Sequence, residues 1–251
     1  MAIEWIDRGI VLSVRRHGEH DIIAQILTEE HGRHAGVVKG GAGRKARGMY
    51  QPGNLLQVRW RARLDEHLGT FTGEVERIYA AEAMLSRQSL TALTALCAMA
   101  QAVLPERESH PLAYRQACHL LETLGQDGWA AEYVLWEVHL LNELGFGLDL
   151  TSCAATGAAE DLVYVSPKSG RAVSRAAGAP YRGQLLALPG FVITGDGVLP
   201  AMEEIAAGLD LTGYFLERYV FAPHRDSLPD ARQRLRTLVL ADPAGTPAMA
   251  V

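Results

Sequence analysis

The sequence predicts an α+β protein of more than one domain, in which a small β-barrel or sandwich is followed by a helical region. Two observations support this prediction. Residues 1–80 hold five short apolar, β-branched segments separated by turns that contain glycine. From residue 81 onward, the apolar residues recur at the 3.6-residue spacing of helices. A chain of 251 residues is long enough to bury a core in each part.

The predicted strands span residues 9–16, 21–32, 33–41, 54–64 and 69–79. The fourth strand is the most informative, because it alternates strictly between two kinds of side chain. Its even-numbered positions 56–62 are apolar, and its odd-numbered positions 57–63 are one glutamine and three arginines. Since successive side chains of a strand point to opposite faces, this strand buries one face and presents its arginines on the other.

The predicted helices span residues 81–104, 111–125, 130–147, 201–221 and 229–240. Residues 148–197 are rich in glycine, alanine, serine and proline and are expected to be irregular. The last eleven residues, "ADPAGTPAMAV", are expected to be frayed. No apolar run is long enough for a membrane span, and the first residues lack the basic start of a signal peptide, so a cytoplasmic location is expected.

The cations are concentrated in one part of an otherwise acidic chain. The whole sequence has 24 Lys+Arg and 29 Asp+Glu. Between His31 and Leu64 there is no acidic residue, yet this segment carries eight of the cations around the stretch "KGGAGRKARG". Ordinary surfaces mix both signs of charge, so the pattern favours a surface that faces a polyanion. The alternative is a solvated strand face beside a soluble, flexible loop.

Nucleic-acid phosphates are the polyanion that this pattern fits best. Arginine pairs with phosphate oxygens through two parallel hydrogen bonds, and small barrels bind oligonucleotides with one strand face and its adjoining loops. Nothing indicates readout of base edges, so binding is expected to be largely independent of sequence. The candidate DNA-binding residues are Arg15, Arg16, Arg33, Lys39, Arg44, Lys45, Arg47, Arg59, Arg61 and Arg63.

Aromatic residues that stack on bases are less clear from the pattern. Trp60 shares its strand face with apolar residues, which favours a place in the core. Tyr50 and Phe71 are the more open candidates for stacking. The glycine-rich stretch is not a P-loop, because Lys45 is followed by Ala46. No metalloprotease, hydrolase or dinucleotide-binding motif is present, so no catalytic residue and no enzymatic activity are predicted.

Residues 151–181 have the spacing of a zinc ribbon without its ligands. Cys153 and Thr156 stand where one Cys-x-x-Cys pair would lie, and Ser174 and Ala177 stand where the second would lie. Structural zinc takes four cysteine or histidine ligands, and only Cys153 qualifies. We therefore expect a region held by packing, with no metal and no other cofactor.

Taken in order, these segments resemble the RecO family of bacterial recombination mediators, in a variant that lacks the zinc-ligand cysteines. The resemblance spans nearly the whole chain. It is carried by "GIVLSVRRHGEHDIIAQILTEEHGRHAGVVKGG" with the following "QPG", by the helical segment ending "ELGFGLDLTSCAATG", and by "YVSPKSGRAVS". It implies an N-terminal OB-fold barrel over residues 1–80 and an all-helical domain over 81–251, with a degenerate zinc-ribbon-like region inserted at 148–197.

The resemblance also implies a function in DNA repair and homologous recombination. A family member would bind single- and double-stranded DNA at the nucleoid, anneal complementary strands and help to load RecA together with RecR in the RecF pathway. The C-terminal tail of single-stranded-DNA-binding protein is a further implied partner, and a membrane is not. The candidate cations for that acidic tail are Arg115, Arg218 and Arg225.

Two other classes of function stay open. An RNA-binding OB-fold protein would share the basic face but would prefer RNA through contacts to the 2′-hydroxyl. A protein-interaction scaffold would use the same face to dock an acidic peptide. Direct competition between DNA, RNA and an acidic peptide distinguishes the three.

Overall fold

The computed structural model describes residues 3–64, 66–195 and 199–241. The chain forms two compact units, Met1–Gly125 and Gln126–Val251. No helix among the described residues combines the length and the apolar composition that crossing a membrane requires. The C-terminal tail that was expected to be frayed lies, apart from Ala241, outside the described residues.

Five strands of the first unit form a closed barrel. They are β1 (Ile3–His17), β2 (Asp21–Thr28), β3 (Gly32–Val38), β4 (Leu55–Ala62) and β5 (Thr70–Arg77). Their order around the barrel is β1-β2-β3-β5-β4. The β3–β5 pair is parallel and the other pairs are antiparallel. The five predicted strands are present, and the barrel is compatible with the OB-fold.

Strand β1 begins earlier than predicted, and its two halves have different partners. Residues 9–17 pair with β2, and residues 3–10 pair with β4. The sequence pattern places the start at residue 9 because charged residues interrupt the apolar run before it. Trp5 nevertheless packs against the barrel core. The first half of β1 therefore closes the barrel against β4.

The alternation predicted from residue 56 onward is confirmed, since positions 56, 58, 60 and 62 are buried and positions 57, 59, 61 and 63 are exposed. Trp60 lies in the core, and its indole nitrogen donates to the carbonyl oxygens of Ala35 and Leu68 at 3.2 and 3.3 Å. Tyr50 and Phe71 are buried in the same core. The expectation that these two rings are open for stacking is therefore wrong.

The glycine-rich stretch contains a short helix, α1 (Arg44–Met49), where a flexible loop was expected. Arginine, lysine, alanine and methionine all favour helix. Ala46 and Met49 pack against the barrel core, so tertiary contacts stabilise the turn of helix. The irregular part is limited to residues 39–43.

Three further helices complete the first unit. They are α2 (Tyr79–Ala83), α3 (Arg87–Val103) and α4 (Pro111–Thr123). Ser86 begins α3, because its hydroxyl accepts a hydrogen bond from the amide of Ser89 at 3.3 Å. The thiol of Cys97 on α3 donates to the carbonyl oxygen of Val11 at 3.7 Å, which ties this helix to the barrel.

The second unit contains five α-helices among its described residues and one small sheet. The helices are α5 (Trp129–Glu143), α6 (Arg175–Gly178), α7 (Gly190–Thr194), α8 (Met202–Leu216) and α9 (Asp230–Ala241). The strands are β6 (Leu162–Val165), β7 (Ala172–Ser174) and β8 (Leu186–Ala187), in the order β7-β6-β8. The segment expected to be irregular therefore has regular structure, which short strands with few alternating positions do not reveal in a sequence.

A buried ion pair joins three helices of this unit. Glu137 on α5 and Arg232 on α9 are both almost completely buried. The guanidinium donates two hydrogen bonds to the carboxylate, Nε to Oε1 at 2.5 Å and Nη2 to Oε2 at 2.8 Å. The hydroxyl of Thr212 on α8 also donates to Oε2, at 2.5 Å. Both charges are thus compensated inside the core.

Candidate nucleic-acid interface

Two segments that are separate in the sequence meet at one end of the barrel. The carboxylate of Asp21, at the end of the β1–β2 turn, accepts hydrogen bonds from Lys39 Nζ at 2.7 Å and from the Gly40 amide at 2.9 Å. The Ala42 amide donates to the carbonyl oxygen of His20 at 2.9 Å. The hydrogen bond from Lys39, and then that from Gly40, hold the pKa of the Asp21 carboxyl below its ordinary value. These bonds fix the glycine loop against the hairpin.

Two glycines allow this close approach. Gly40 has a φ of +65°, which L side chains rarely adopt. A Cβ atom on Gly41 would lie 2.4 Å from the side chain of Ile22. The glycines therefore serve packing and backbone geometry, whereas the sequence pattern was interpreted as flexibility.

We call the cations that this packing brings together the basic end. They are Arg15, Arg16, Lys39, Arg44, Lys45 and Arg47. All six are exposed. Within the residues that the structure describes, Lys39 alone among them forms an ion pair with a carboxylate. The hairpin carries one acid at its tip, Glu19, and that carboxylate lies 3.8 Å from the ring of His20.

A groove of about 520 Å³ lies in the basic end. Arg15, Arg16 and Arg47 line it, and apolar side chains such as Val14 and Ile22 form part of its wall. Tyr50 also lines the groove, and burial raises the pKa of its hydroxyl to about 12. The groove therefore offers uncompensated positive charge above an apolar wall, which suits a phosphate group attached to a less polar sugar.

The β4 arginines form a second row of cations. Arg59 Nη1 lies 2.6 Å from Glu4 Oε1, and Arg61 Nε lies 3.8 Å from Glu4 Oε2. Glu4 reaches them because it stands directly across from Arg61 in the β1–β4 pair. Arg63 is exposed at the end of the row. The segment from His31 to Leu64 thus contains no acidic residue of its own, but the folded chain brings Glu4 next to its arginines.

Arg33 is separated from both groups by its own contacts. Its Nε donates to the carbonyl oxygen of Leu104 at 2.8 Å, and its Nη1 lies 3.1 Å from Glu106 Oε1. Only 14% of the side chain is exposed. The structure therefore places Arg33 between β3 and the segment after α3, with most of its hydrogen-bonding capacity in use.

An aromatic column inside the barrel has no counterpart in the sequence analysis. The ring of Trp5 stacks on Trp60 at 5.4 Å and on His31 at 4.2 Å. His31 Nδ1 lies 2.8 Å from a carboxylate oxygen of Asp7, whose side chain is buried. The usual alternation gave no signal here, because the apolar Ile6 is exposed while acidic Asp7 is buried.

The three cations expected for an acidic peptide lie in different environments. Arg115, in the first unit, lies 3.7 Å from Glu29. Arg218, in the second unit, donates to the hydroxyl of Tyr214 at 2.8 Å. Arg225 is exposed and has a φ of +60°. Each unit therefore supplies cations.

The residues at the zinc-ribbon positions do not fit a zinc ion. Among the described residues, no group of three or more histidine, cysteine, aspartate or glutamate side chains could hold a metal ion. Cys153 supplies one sulfur, and the threonine, serine and alanine at the other three positions supply no thiolate or imidazole.

Comparison with known proteins covers most of the chain. Residues 1–79 match the family model "Recombination protein O N terminal", and residues 84–228 match "Recombination protein O C terminal". A protein of Rhodospirillum rubrum named DNA repair protein RecO is 48% identical over 238 residues, which are 92% of this chain and 94% of the relative. A protein of the same name from Cereibacter sphaeroides is 49% identical over 240 residues, or 94% and 98% of the two chains. The chain therefore belongs to the RecO family of DNA repair proteins.

Proposed function

We propose that the basic end binds DNA phosphates without sequence preference, and that the protein uses this surface to anneal complementary strands in recombination repair. The observation that carries the proposal is the groove lined by Arg15, Arg16 and Arg47. These three guanidinium groups are exposed and form no ion pair with any carboxylate that the structure describes. Their charge is therefore available to a polyanion.

The buried aromatic rings support binding through phosphates rather than through bases. Trp60, Tyr50 and Phe71 are all in the barrel core, so they offer no open stacking platform. Annealing requires a surface that neutralises two strands while leaving their bases free to pair. Exposed arginines beside a groove without open aromatic rings meet that requirement.

The other candidate residues contribute in different ways under this proposal. Arg44, Lys45 and Lys39 extend the positive surface around the groove. The β4 row, which consists of Arg59, Arg61 and Arg63, continues the positive surface along the barrel. There a DNA phosphate would replace Glu4 as the partner of Arg59 and Arg61. Arg33 acts through the fold, because its contacts hold β3 against the segment after α3.

We extend the proposal to the partners that the family resemblance implies. Residues 1–80 would supply the DNA-binding OB-fold, and residues 81–251 would supply protein contacts and the degenerate ribbon. Those contacts would be made with RecR and with the acidic tail of single-stranded-DNA-binding protein, and they would place RecA on DNA in the RecF pathway. Such a protein acts in the cytoplasm at the nucleoid, and no covalent step is part of this function.

Annealing of two complementary labelled oligonucleotides tests the proposal. With the protein present, we expect faster pairing and a log–log salt slope of roughly −3 to −6, because each phosphate contact releases counterions. RNA strands of the same sequence and an acidic peptide serve as competitors. Preference for RNA would support the RNA-binding alternative, and peptide binding without nucleic-acid binding would support the scaffold. If the protein neither binds DNA nor accelerates the pairing of DNA strands, the proposal is refuted.

A further inference from the structure

The sulfur atom of Cys153 links two of the four zinc-ribbon positions. Cys153 is 1% exposed, and its Sγ accepts a hydrogen bond from the amide of Ser174 at 3.3 Å, although the two residues are 21 positions apart. Hydrogen bonds with the side chains of Ser174 and Thr156 lower the pKa of the Cys153 thiol to about 6. The Ser174 amide therefore joins the second turn directly to the sulfur.

The first turn of the ribbon is formed by backbone hydrogen bonds, together with one from the Ala158 amide to the Thr156 hydroxyl at 3.4 Å. The Gly157 amide donates to the carbonyl oxygen of Cys153 at 2.8 Å, and the Cys153 amide donates to the carbonyl oxygen of Ala158 at 2.7 Å. Gly157 has a φ of +74°, which suits a residue without a side chain. This turn brings Thr156 back to Cys153 without a metal ion.

The second turn starts at the end of β7. Ser174 is the last residue of that strand and precedes α6, so Ala177 follows it by almost one helical turn. Ala177 lies within this short helix, three residues beyond Ser174.

Direct bonds join the two turns, which is the task of zinc in a ribbon. Besides the contact between Ser174 and Cys153, the Ala154 amide donates to the carbonyl oxygen of Ala172 at 2.8 Å. The Arg175 amide donates to the carbonyl oxygen of Asp161 at 2.9 Å. The β6–β7 pair adds a ladder whose side chains at Val165 and Ala172 are fully buried.

We propose that residues 151–178 fold without metal, because direct hydrogen bonds, among them the one from the Ser174 amide to the Cys153 sulfur, join the two turns that zinc joins in a ribbon. Thiolates placed at the three other positions would therefore form a tetrahedral zinc site with Cys153.

The test restores the missing ligands in the full-length chain. The variant Thr156→Cys/Ser174→Cys/Ala177→Cys is compared with the wild type and with a matched control that also carries Cys153→Ser. Binding of Co²⁺ is followed through its thiolate absorption bands, bound zinc is counted per chain, and the thermal midpoint is measured with zinc and with a chelator.

We expect one zinc per chain in the triple variant, a midpoint raised by about 5 °C or more by zinc, and much weaker binding in the control. The wild type should keep its midpoint in chelator. A folded triple variant that binds no zinc, or a wild type that chelator unfolds, would overturn the proposal. If the triple variant does not fold, the single variant Ser174→Cys decides. Oxidation should join the cysteine of this variant to Cys153 in a disulfide, which requires Cα atoms less than about 7 Å apart. If no disulfide forms, the two turns do not approach each other as proposed.

Discussion

Replacing Arg15, Arg16 and Arg47 by glutamine removes three charges from the groove of the basic end while keeping side chains of similar length. Each arginine that neutralises a phosphate of single-stranded DNA contributes about −0.7 to the log–log salt slope. Three contacts therefore contribute about −2. At roughly 0.1 M salt the same counterion release is worth about fivefold per contact, so the variant should bind about 100-fold more weakly.

Fluorescence anisotropy of a labelled single strand, titrated between roughly 50 and 400 mM salt, measures the affinity and the slope together. A matched control replaces Arg171, Arg175 and Arg236 by glutamine. Arg175 is exposed, Arg171 and Arg236 are half-buried, and each of the three is paired with an aspartate in the second unit. The control removes the same net charge and should bind DNA nearly as the wild type does. Equal losses in the two variants, or an unchanged slope in the groove variant, would refute the argument from the groove.

Three further predictions concern the framework that supports this surface. Arg232→Met leaves the Glu137 carboxylate buried without its partner and should lower the free energy of unfolding by about 3–5 kcal/mol. Adding Glu137→Leu should recover most of the loss. Urea unfolding measures the stability of both variants, and a double variant as unstable as the single one would contradict this prediction. Asp21→Ala should speed hydrogen exchange in the adjoining glycine loop. Because the folded-state pKa of Asp21 is lowered, the carboxylate stabilises the loop above the ordinary pKa of 3.8, and this stabilisation is lost as the pH falls through the lowered value. Exchange rates of variant and wild type that still differ in strong acid would count against this prediction. Gly69→Ala should destabilise the barrel by about 2–4 kcal/mol, since the φ is +66° and the new Cβ would lie 2.4 Å from the Trp60 ring; an unchanged thermal midpoint would show that the barrel yields without cost.

Local patterns predicted the parts of the barrel where burial alternates along one strand. In β4, successive side chains point to opposite faces of the strand. The apolar ones are buried and the polar ones are exposed, so the sequence pattern predicts the burial of each residue. The first half of β1 escaped this reasoning, since Ile6 is exposed and Asp7 is buried beside His31. Its pairing with β4 is a long-range contact that no local pattern contains.

The charge pattern predicted the existence of the basic surface but not its composition. Glu4 and Asp21 lie outside the acid-free segment and still reach Arg59 and Lys39, because strand pairing and a turn bring them there. Conversely, Arg15 and Arg16 lie outside that segment but line the groove, because the β1–β2 hairpin brings them there. Which cations keep free charge is decided by tertiary pairing, which spacing along one chain does not reveal.

Of the five barrel strands, β1 is made before the others, and its leading half waits longest for a partner. Ile3 pairs with Ala62, which is translated about sixty residues later, or about 3–12 s later at ordinary elongation rates. Residues 9–17 have β2 within reach almost at once, so the hairpin can form while the leading half of β1 still has a free edge. Among the seams of the barrel, the one between β1 and β4 therefore has the longest delay between the synthesis of its two strands. A fusion partner attached before Ile3 would sit at that seam, whereas one attached after the last helix would leave barrel closure undisturbed.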